Sequence, residues 1–297
     1  TGTVNSASVI TGNLSSIGIC TRANTNFSVI ASNATGYKWQ VDKGAGAGFT
    51  DVPNSLPYSG INTSTLTITG ATAALNGYKY QVIVSGGCTP SATSNSATLT
   101  INSAPSITTQ PSVTPITVCD GNTATISVTA SNATGYQWYV DQGAGFNPVP
   151  NSFPYSGMNT NTLTITGATA ALSGYIYRVV ASGNCTPNAT SNNVALIVNS
   201  SPSIIAQPSS KVTCAGENTI FSVSASNATG YQWQVEKGQG FENISDNATY
   251  SGTTTATLSI TGTTSALNGY LYRAVANGTC TPITVSNNAS LTVKSIP

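Results

Sequence analysis

The chain has 297 residues, enough for two or three domains, and only 6% are charged, against roughly 25% in ordinary soluble proteins. A net charge of +1, without a basic patch or an acidic block, argues against nucleic-acid binding, and no apolar run approaches the length of a membrane span. Disorder usually needs low hydrophobicity with high charge, and this chain has neither. Its near-neutral surface, rich in Ser, Thr, Asn and Gly, repels other copies weakly and so favours association.

The chain opens at Thr1 without an initiator Met or an apolar leader, as expected of a mature secreted chain or of a cloned fragment. It then says the same thing three times. TGYKWQV at 35–41 returns as TGYQWYV at 134–140 and TGYQWQV at 229–235. TLTITGATAAL at 65–75 returns unchanged at 162–172 and as TLSITGTTSAL at 257–267. A period near a hundred residues means one domain per repeat, with expected boundaries 1–103, 104–200 and 201–297. The two extra residues of the first repeat sit in KGAGAGF at 43–49, against QGAGF at 142–146, where a hairpin loop absorbs insertions.

Strands dominate the expected structure. FSVIAS, TATISVTAS and IFSVSAS alternate apolar and small polar residues with period two, as do TLTIT and ATLTI. In the middle repeat the spacing predicts strands A at 106–110, A′ at 115–119, B at 123–131 and C at 135–141. C′ at 146–149, E at 161–166, F at 174–182 and G at 190–198 follow. The linkers NSAPSITTQPS (102–112) and NSSPSIIAQPS (199–209), stiffened by Pro105 and Pro202, predict semi-rigid, end-to-end domains. Residues 3–8 match the linker phase, and 291–297 stop at that same phase. A piece of a longer array, or a subunit stacking head to tail, is expected to look this way.

Six cysteines, two per repeat, occur in a chain without histidine. Zinc sites want closely spaced Cys/His pairs, so disulfides in an oxidising compartment are expected instead. Catalysis finds no support: the carboxylates Asp42, Asp51, Asp120, Asp141, Glu217, Glu236, Glu242 and Asp246 are scattered and differ between repeats. No enzyme activity, metal or cofactor is expected. No lysine recurs on a core strand, which argues against Lys–Asn isopeptide bonds. The Ser-Asn-Ala-Thr-Gly runs at 32–36, 131–135 and 226–230 match a glycosylation sequon, but read more simply as B–C turns.

Trp39, Trp138 and Trp233 on strand C, followed by LNGYKY (75–80), LSGYIY (172–177) and LNGYLY (267–272), resemble the immunoglobulin superfamily, with its core Trp and its tyrosine corner. With the later Gly-x-Cys-Thr-Pro, the pattern is similar to the Ig-like repeats of large secreted surface proteins of Bacteroidota, including gliding- and adhesion-associated ones. The resemblance implies an all-β chain of three tandem Ig-like β-sandwich domains in an extended rod, exported to the cell surface. It places Trp39, Trp138, Trp233, Tyr78, Tyr175 and Tyr270 in the core, so the aromatics read as packing rather than sugar stacking. Phe49, Phe146 and Phe241, near hairpins, stay open.

The resemblance has one departure. The Ig disulfide joins mid-B to mid-F, but those places hold Val29, Val128 and Val223 on one side and Tyr80, Tyr177 and Tyr272 on the other. Cys20 falls at the A′–B turn and Cys88 at the F–G turn, at opposite ends of an Ig sandwich. That gap exceeds about 20 Å at strand spacing, whereas a disulfide needs Cα atoms within about 7 Å. Pairing between neighbours, Cys20–Cys185 and Cys119–Cys280, then leaves Cys214 to meet Cys88 of a next subunit. Three bridges within repeats, Cys20–Cys88, Cys119–Cys185 and Cys214–Cys280, remain the alternative.

The expected function is structural: the subunit of a self-assembling extracellular filament, built head to tail from copies of itself and stabilised by disulfides. The alternative is a stalk or ligand-binding segment of a larger multidomain adhesin, contacting host or surface glycans. The run FENISDNATYSG (241–252), which diverges from VPNSLPYSG and VPNSFPYSG, favours that alternative.

Overall fold

The computed structural model describes residues 6–295. The matched ends of the repeat, 3–8 and 291–297, therefore lie partly outside the described residues. Two compact units divide the chain. One comprises residues up to Thr109 with Val128–Gln137 and Val179–Ser191; the other comprises Gln110–Ser127, Trp138–Arg178 and residues from Asn192 onward.

The first repeat lies wholly in the first unit. Its strands are β1 (Val9–Gly12), β2 (Ile17–Cys20), β3 (Thr25–Ser28), β4 (Ile30–Ser32), β5 (Ala34–Asp42) and β6 (Thr50–Asp51). β7 (Tyr58–Ser59), β8 (Thr65–Ile68), β9 (Lys79–Gly86), β10 (Ala92–Thr93) and β11 (Ala97–Asn102) complete it. One sheet runs β2-β11-β9-β5-β6, with β10 against β9; the facing strands are β3-β8-β7 and the pair β1-β4. β2 runs parallel to β11 and places Cys20 opposite Asn102. The remaining pairings between these strands are antiparallel, as in an Ig-like sandwich.

The third repeat, wholly in the second unit, repeats this plan. Lys211–Cys214 is parallel to Ala289–Lys294, and Thr219–Ser222 pairs with Thr257–Ile260. The middle repeat contributes to both units. Ser106–Thr109 pairs with Thr129–Ser131 in the first, and Ile116–Cys119 runs parallel to Val194–Asn199 in the second.

Two features depart from the sequence expectation. Strand B is broken in every repeat. In the middle repeat Ala124–Ser127 pairs with Thr162–Ile165, whereas Thr129–Ser131 pairs with Ser106–Thr109. The break falls at buried Val128, and at Val29 and Val223 in the other repeats. A strand that changes partners must bend, but its apolar alternation continues through the bend, so periodicity cannot reveal it. The second feature is a set of two-residue strands too short to show any period: Tyr58–Ser59 with its counterparts Tyr155–Ser156 and Tyr250–Ser251, and, on strand F, Ala92–Thr93, Ala189–Thr190 and Thr284–Val285, so that the strand G expected at 190–198 begins only at Val194.

Alternation becomes burial directly. In β8, Leu66 and Ile68 are fully buried while Thr65 and Thr67 face outward, half-covered. Trp39, Trp138 and Trp233 are at most 1% exposed, and each indole N–H donates to a turn carbonyl, those of Thr63, Thr160 and Thr255, at 2.8–2.9 Å. A buried tryptophan needs such an acceptor. Gly60 shapes the first of these turns: at φ 73°, a side chain there would come within 2.3 Å of the Thr65 carbonyl.

The expected core tyrosines pack against the core from its edge, as Tyr78 and Tyr270 do, and the deepest rings lie two positions further on. Tyr78, Tyr175 and Tyr270 are half-buried, and the fully buried rings are Tyr80, Tyr177 and Tyr272. Likewise, the B-strand residue facing Tyr80 is Phe27 rather than Val29. Their rings stack at 5.1 Å, as do Phe221 and Tyr272 at 5.0 Å. In the first and third repeats an aromatic stack thus stands where the Ig fold carries its disulfide, whereas the middle repeat has Ile126 at that strand B position. Each buried tyrosine hydroxyl meets another at 3.1 Å, in the pairs Tyr58–Tyr80, Tyr155–Tyr177 and Tyr250–Tyr272. Burial pushes the Tyr80 hydroxyl above its ordinary range, and the hydrogen bond with Tyr58 adds to this.

Candidate functional site: cysteines at the ends of the repeats

Cys20 closes β2, and the edge pairing with β11 sets its position. Cys185 sits in the F–G loop of the middle repeat, 2% exposed. The two sulfurs are bonded, with Cα atoms 5.6 Å apart. Cys119 and Cys280 repeat the arrangement: Cys119 ends Ile116–Cys119, opposite Asn199, and its Cα is again 5.6 Å from that of Cys280, 1% exposed. The surroundings repeat as well. Cys185 Sγ lies 3.6 Å from the Asn102 carbonyl oxygen, and Cys280 Sγ lies 3.4 Å from that of Asn199. Both bridges join one repeat to the next. The within-repeat alternative, Cys20–Cys88, Cys119–Cys185 and Cys214–Cys280, is not formed, because Cys20, Cys119, Cys185 and Cys280 are all committed elsewhere.

Cys214 holds the same strand position in the third repeat and is exposed, outside any disulfide. The residue opposite it is Lys294, where the other two repeats have Asn102 and Asn199. Cys88, the first repeat's counterpart of Cys185 and Cys280, is also exposed and is bridged to Ala7 in a parallel β contact.

Beside each bridge lies a small polar cleft. The first, about 150 Å³, is lined by Asn102, Ser103, Asn132 and Asn184 among others; the second, about 200 Å³, by the equivalent Asn199, Ser200, Asn227 and Thr279. Of the sequon asparagines, Asn132 and Asn227 line these clefts. Asn33, Asn132 and Asn227 have φ of 54–56°, and their amides donate to the carbonyls of Ala7, Ala104 and Ser201 at 3.3 Å. That is the turn geometry expected of Asn.

The carboxylates serve loops. Against the expectation that the carboxylates differ between repeats, Asp42, Asp141 and Glu236 recur at one position and accept hydrogen bonds from glycine amides in equivalent C–C′ hairpins. The amides of Gly240 and then Gly238 hold the Glu236 carboxyl below its usual range. Asp246 accepts from the Thr253 hydroxyl at 2.6 Å and amide at 2.9 Å, which holds its carboxyl low too. Asp51 pairs with Lys38 at 2.8 Å, and that contact, with Gln40, lowers it. Among the described residues no group of three His, Cys, Asp or Glu is placed to hold a metal ion.

Sequence reading missed one pairing. Phe146 and Phe241 lie under guanidinium groups, with Arg178 at 3.9 Å and Arg273 at 3.8 Å from the ring centres. Arg273 Nε also donates to Gln234 at 2.8 Å, but Tyr139 stands in the corresponding place, and buried Arg178 Nε finds no acceptor among the described residues. The signal was available: Arg178 and Arg273 recur at one strand F position, where the first repeat has Gln81.

No family model and no curated protein matches the chain. Solved structures do. The I-band fragment I67-I69 from titin superposes with a TM-score of 0.61 at 16% identity, covering 97% of this chain and 99% of that one. Sidekick-1 immunoglobulin domains 1-5 give 0.52 at 18% identity, covering 99% of this chain and 60% of that one. The N-terminal eight Ig domains of Down Syndrome Cell Adhesion Molecule give 0.51 at 14%, covering 97% and 37%. Such identities speak for fold alone. The chain is an all-β protein of three tandem immunoglobulin-like domains, joined by two disulfides.

Proposed function

We propose that the chain is an extracellular structural subunit that links copies of itself head to tail through disulfides. The carrying observation is the repeated bridge. Twice, the cysteine ending strand A′ of one repeat joins the F–G cysteine of the next, with the same Cα separation. Cys214 stands exposed at that strand position a third time, and Cys88 holds the F–G position of the first repeat. Continuing the series joins Cys214 of one copy to Cys88 of another. The thiols lose two protons and two electrons to a disulfide oxidant such as oxidised glutathione, which leaves as two thiols. Such bonds imply export to an oxidising compartment, in agreement with the cell-surface setting of the Bacteroidota-like repeats. On this reading the domains meet at 103/104 and 200/201, the role is mechanical rather than enzymatic, and no cofactor is needed.

Incubation of the pure protein with oxidised glutathione tests it. A ladder of multimers on a non-reducing gel, collapsed by reductant and absent in Cys214→Ser, is the expected result, with fibres of constant axial repeat under the electron microscope. A wild-type protein that stays monomeric throughout overturns it. The second reading, a stalk or ligand-binding segment of a larger adhesin, is favoured by the loop 241–252. There Asp246 and Thr253 build a polar network where the other repeats expose Leu56 and Phe153. Binding of immobilised glycans, lost in Asp246→Ala but retained in Cys214→Ser, supports that reading.

A further inference from the structure

The two disulfides interleave. In chain order the cysteines run 20, 119, 185, 280, and the bonds join first to third and second to fourth. Each bridge therefore has one end inside the loop closed by the other. Viewed as a covalent network, the bridges are two nodes connected by three parallel strands: residues 20–119, 119–185 and 185–280. Two independent bridges, each within its own repeat, would create no such network.

We propose that this interleaving makes the chain a force-bearing tether of limited extensibility that survives a single break of its backbone. Force applied at the two termini enters the first node through residues 1–20 and leaves the second through 280–297. Between the nodes, the shortest strand tightens first. That strand is 119–185, within the middle repeat. Once it is taut the other two stay slack, so force applied at the termini, unlike force drawn through Cys88 and Cys214, never reaches residues 21–118 or 186–279. Those stretches hold most of the first and third cores, including Trp39, Leu66 and Tyr80, and Trp233, Leu258 and Tyr272. The middle core, with Trp138 and Leu163, lies in the strand that takes the force.

The limit is numerical. The shortest covalent route from end to end covers roughly 100 residues, or about 350 Å when fully drawn out, whereas the reduced chain reaches about 1,000 Å. With only one bridge the route lengthens to roughly 130 residues, about 460 Å. The same network gives redundancy: a cut anywhere between Cys20 and Cys280 leaves every fragment attached.

Single molecules held by handles at the two termini, in a Cys88→Ser, Cys214→Ser background, provide the test without any polymerisation. The oxidised protein is expected to stop near one third of the reduced extension, and Cys119→Ser with Cys280→Ser to stop at an intermediate length. Oxidised chains that extend past the single-bridge variant overturn the proposal. A second measurement places a protease site in the exposed hairpin at Gly44–Gly48, where insertions are tolerated. The cleaved protein should run as one species until reduced, whereas Cys20→Ser with Cys185→Ser should fall into two pieces without reductant. Separation of the cleaved, oxidised wild type would refute the redundancy.

Discussion

Cys119 and Cys214 occupy one strand position in successive repeats, each ending a short A′ strand that runs parallel to strand G. Cys119 is bridged to Cys280, but Cys214 is exposed and outside any disulfide. Strand and register do not separate them. What differs is that Cys280 lies within bonding distance of Cys119, and which residue lies opposite: Asn199 for Cys119, Lys294 for Cys214. A repeat position is thus defined by what its neighbours place against it. The same holds for Arg178 and Arg273, and for the loops around Phe153 and Asp246.

The repeats should behave most alike in their cores. Trp39→Ala and Trp233→Ala should each destabilise their repeat by about 3–5 kcal/mol, measured by urea denaturation of the oxidised protein. A twofold difference between them breaks the equivalence. Next come the tyrosine pairs. Tyr80→Phe leaves the Tyr58 hydroxyl buried without its partner, at a cost of about 1–3 kcal/mol. The double replacement of Tyr58 and Tyr80 by Phe should recover part of that loss.

A smaller effect separates the arginines. Removing either cation–π contact costs about 0.5–1 kcal/mol. Arg273→Ala also deprives Gln234 of a partner and should cost more than Arg178→Ala, whose Nε has none. Equal losses would show that the Gln234 contact contributes nothing. The smallest effect depends on pH. The Asp246 carboxyl is held low by Thr253, so its contribution is present above the ordinary carboxylate pKa and is lost as pH falls through the lowered value. Asp246→Asn should flatten the acid limb of third-repeat stability and leave the first repeat unchanged. An unaltered acid limb would show that the Thr253 contact does not stabilise the folded state.

The period near a hundred residues, the strand alternation and the Trp-to-Tyr spacing made the all-β, three-domain plan legible in the sequence, because burial on one sheet face writes itself as period two. Tyr80 and Phe27 were two positions from the residues that spacing favoured. Every second residue of a strand faces the same layer, so pattern alone cannot say which of them stands at its centre. The cation–π pairs were missed because they form across the strands of one sheet, between residues more than thirty positions apart in sequence.

The repeat, the sandwich and the number of cysteines can be read along the chain, since those depend on local periodicity and composition. Which cysteines bond follows from the packing of one repeat against the next, because bond formation requires Cα atoms within about 7 Å, a condition that no local pattern sets. The interleaved order of the two bridges, and with it the three-stranded covalent network, exists only once that packing has chosen the partners.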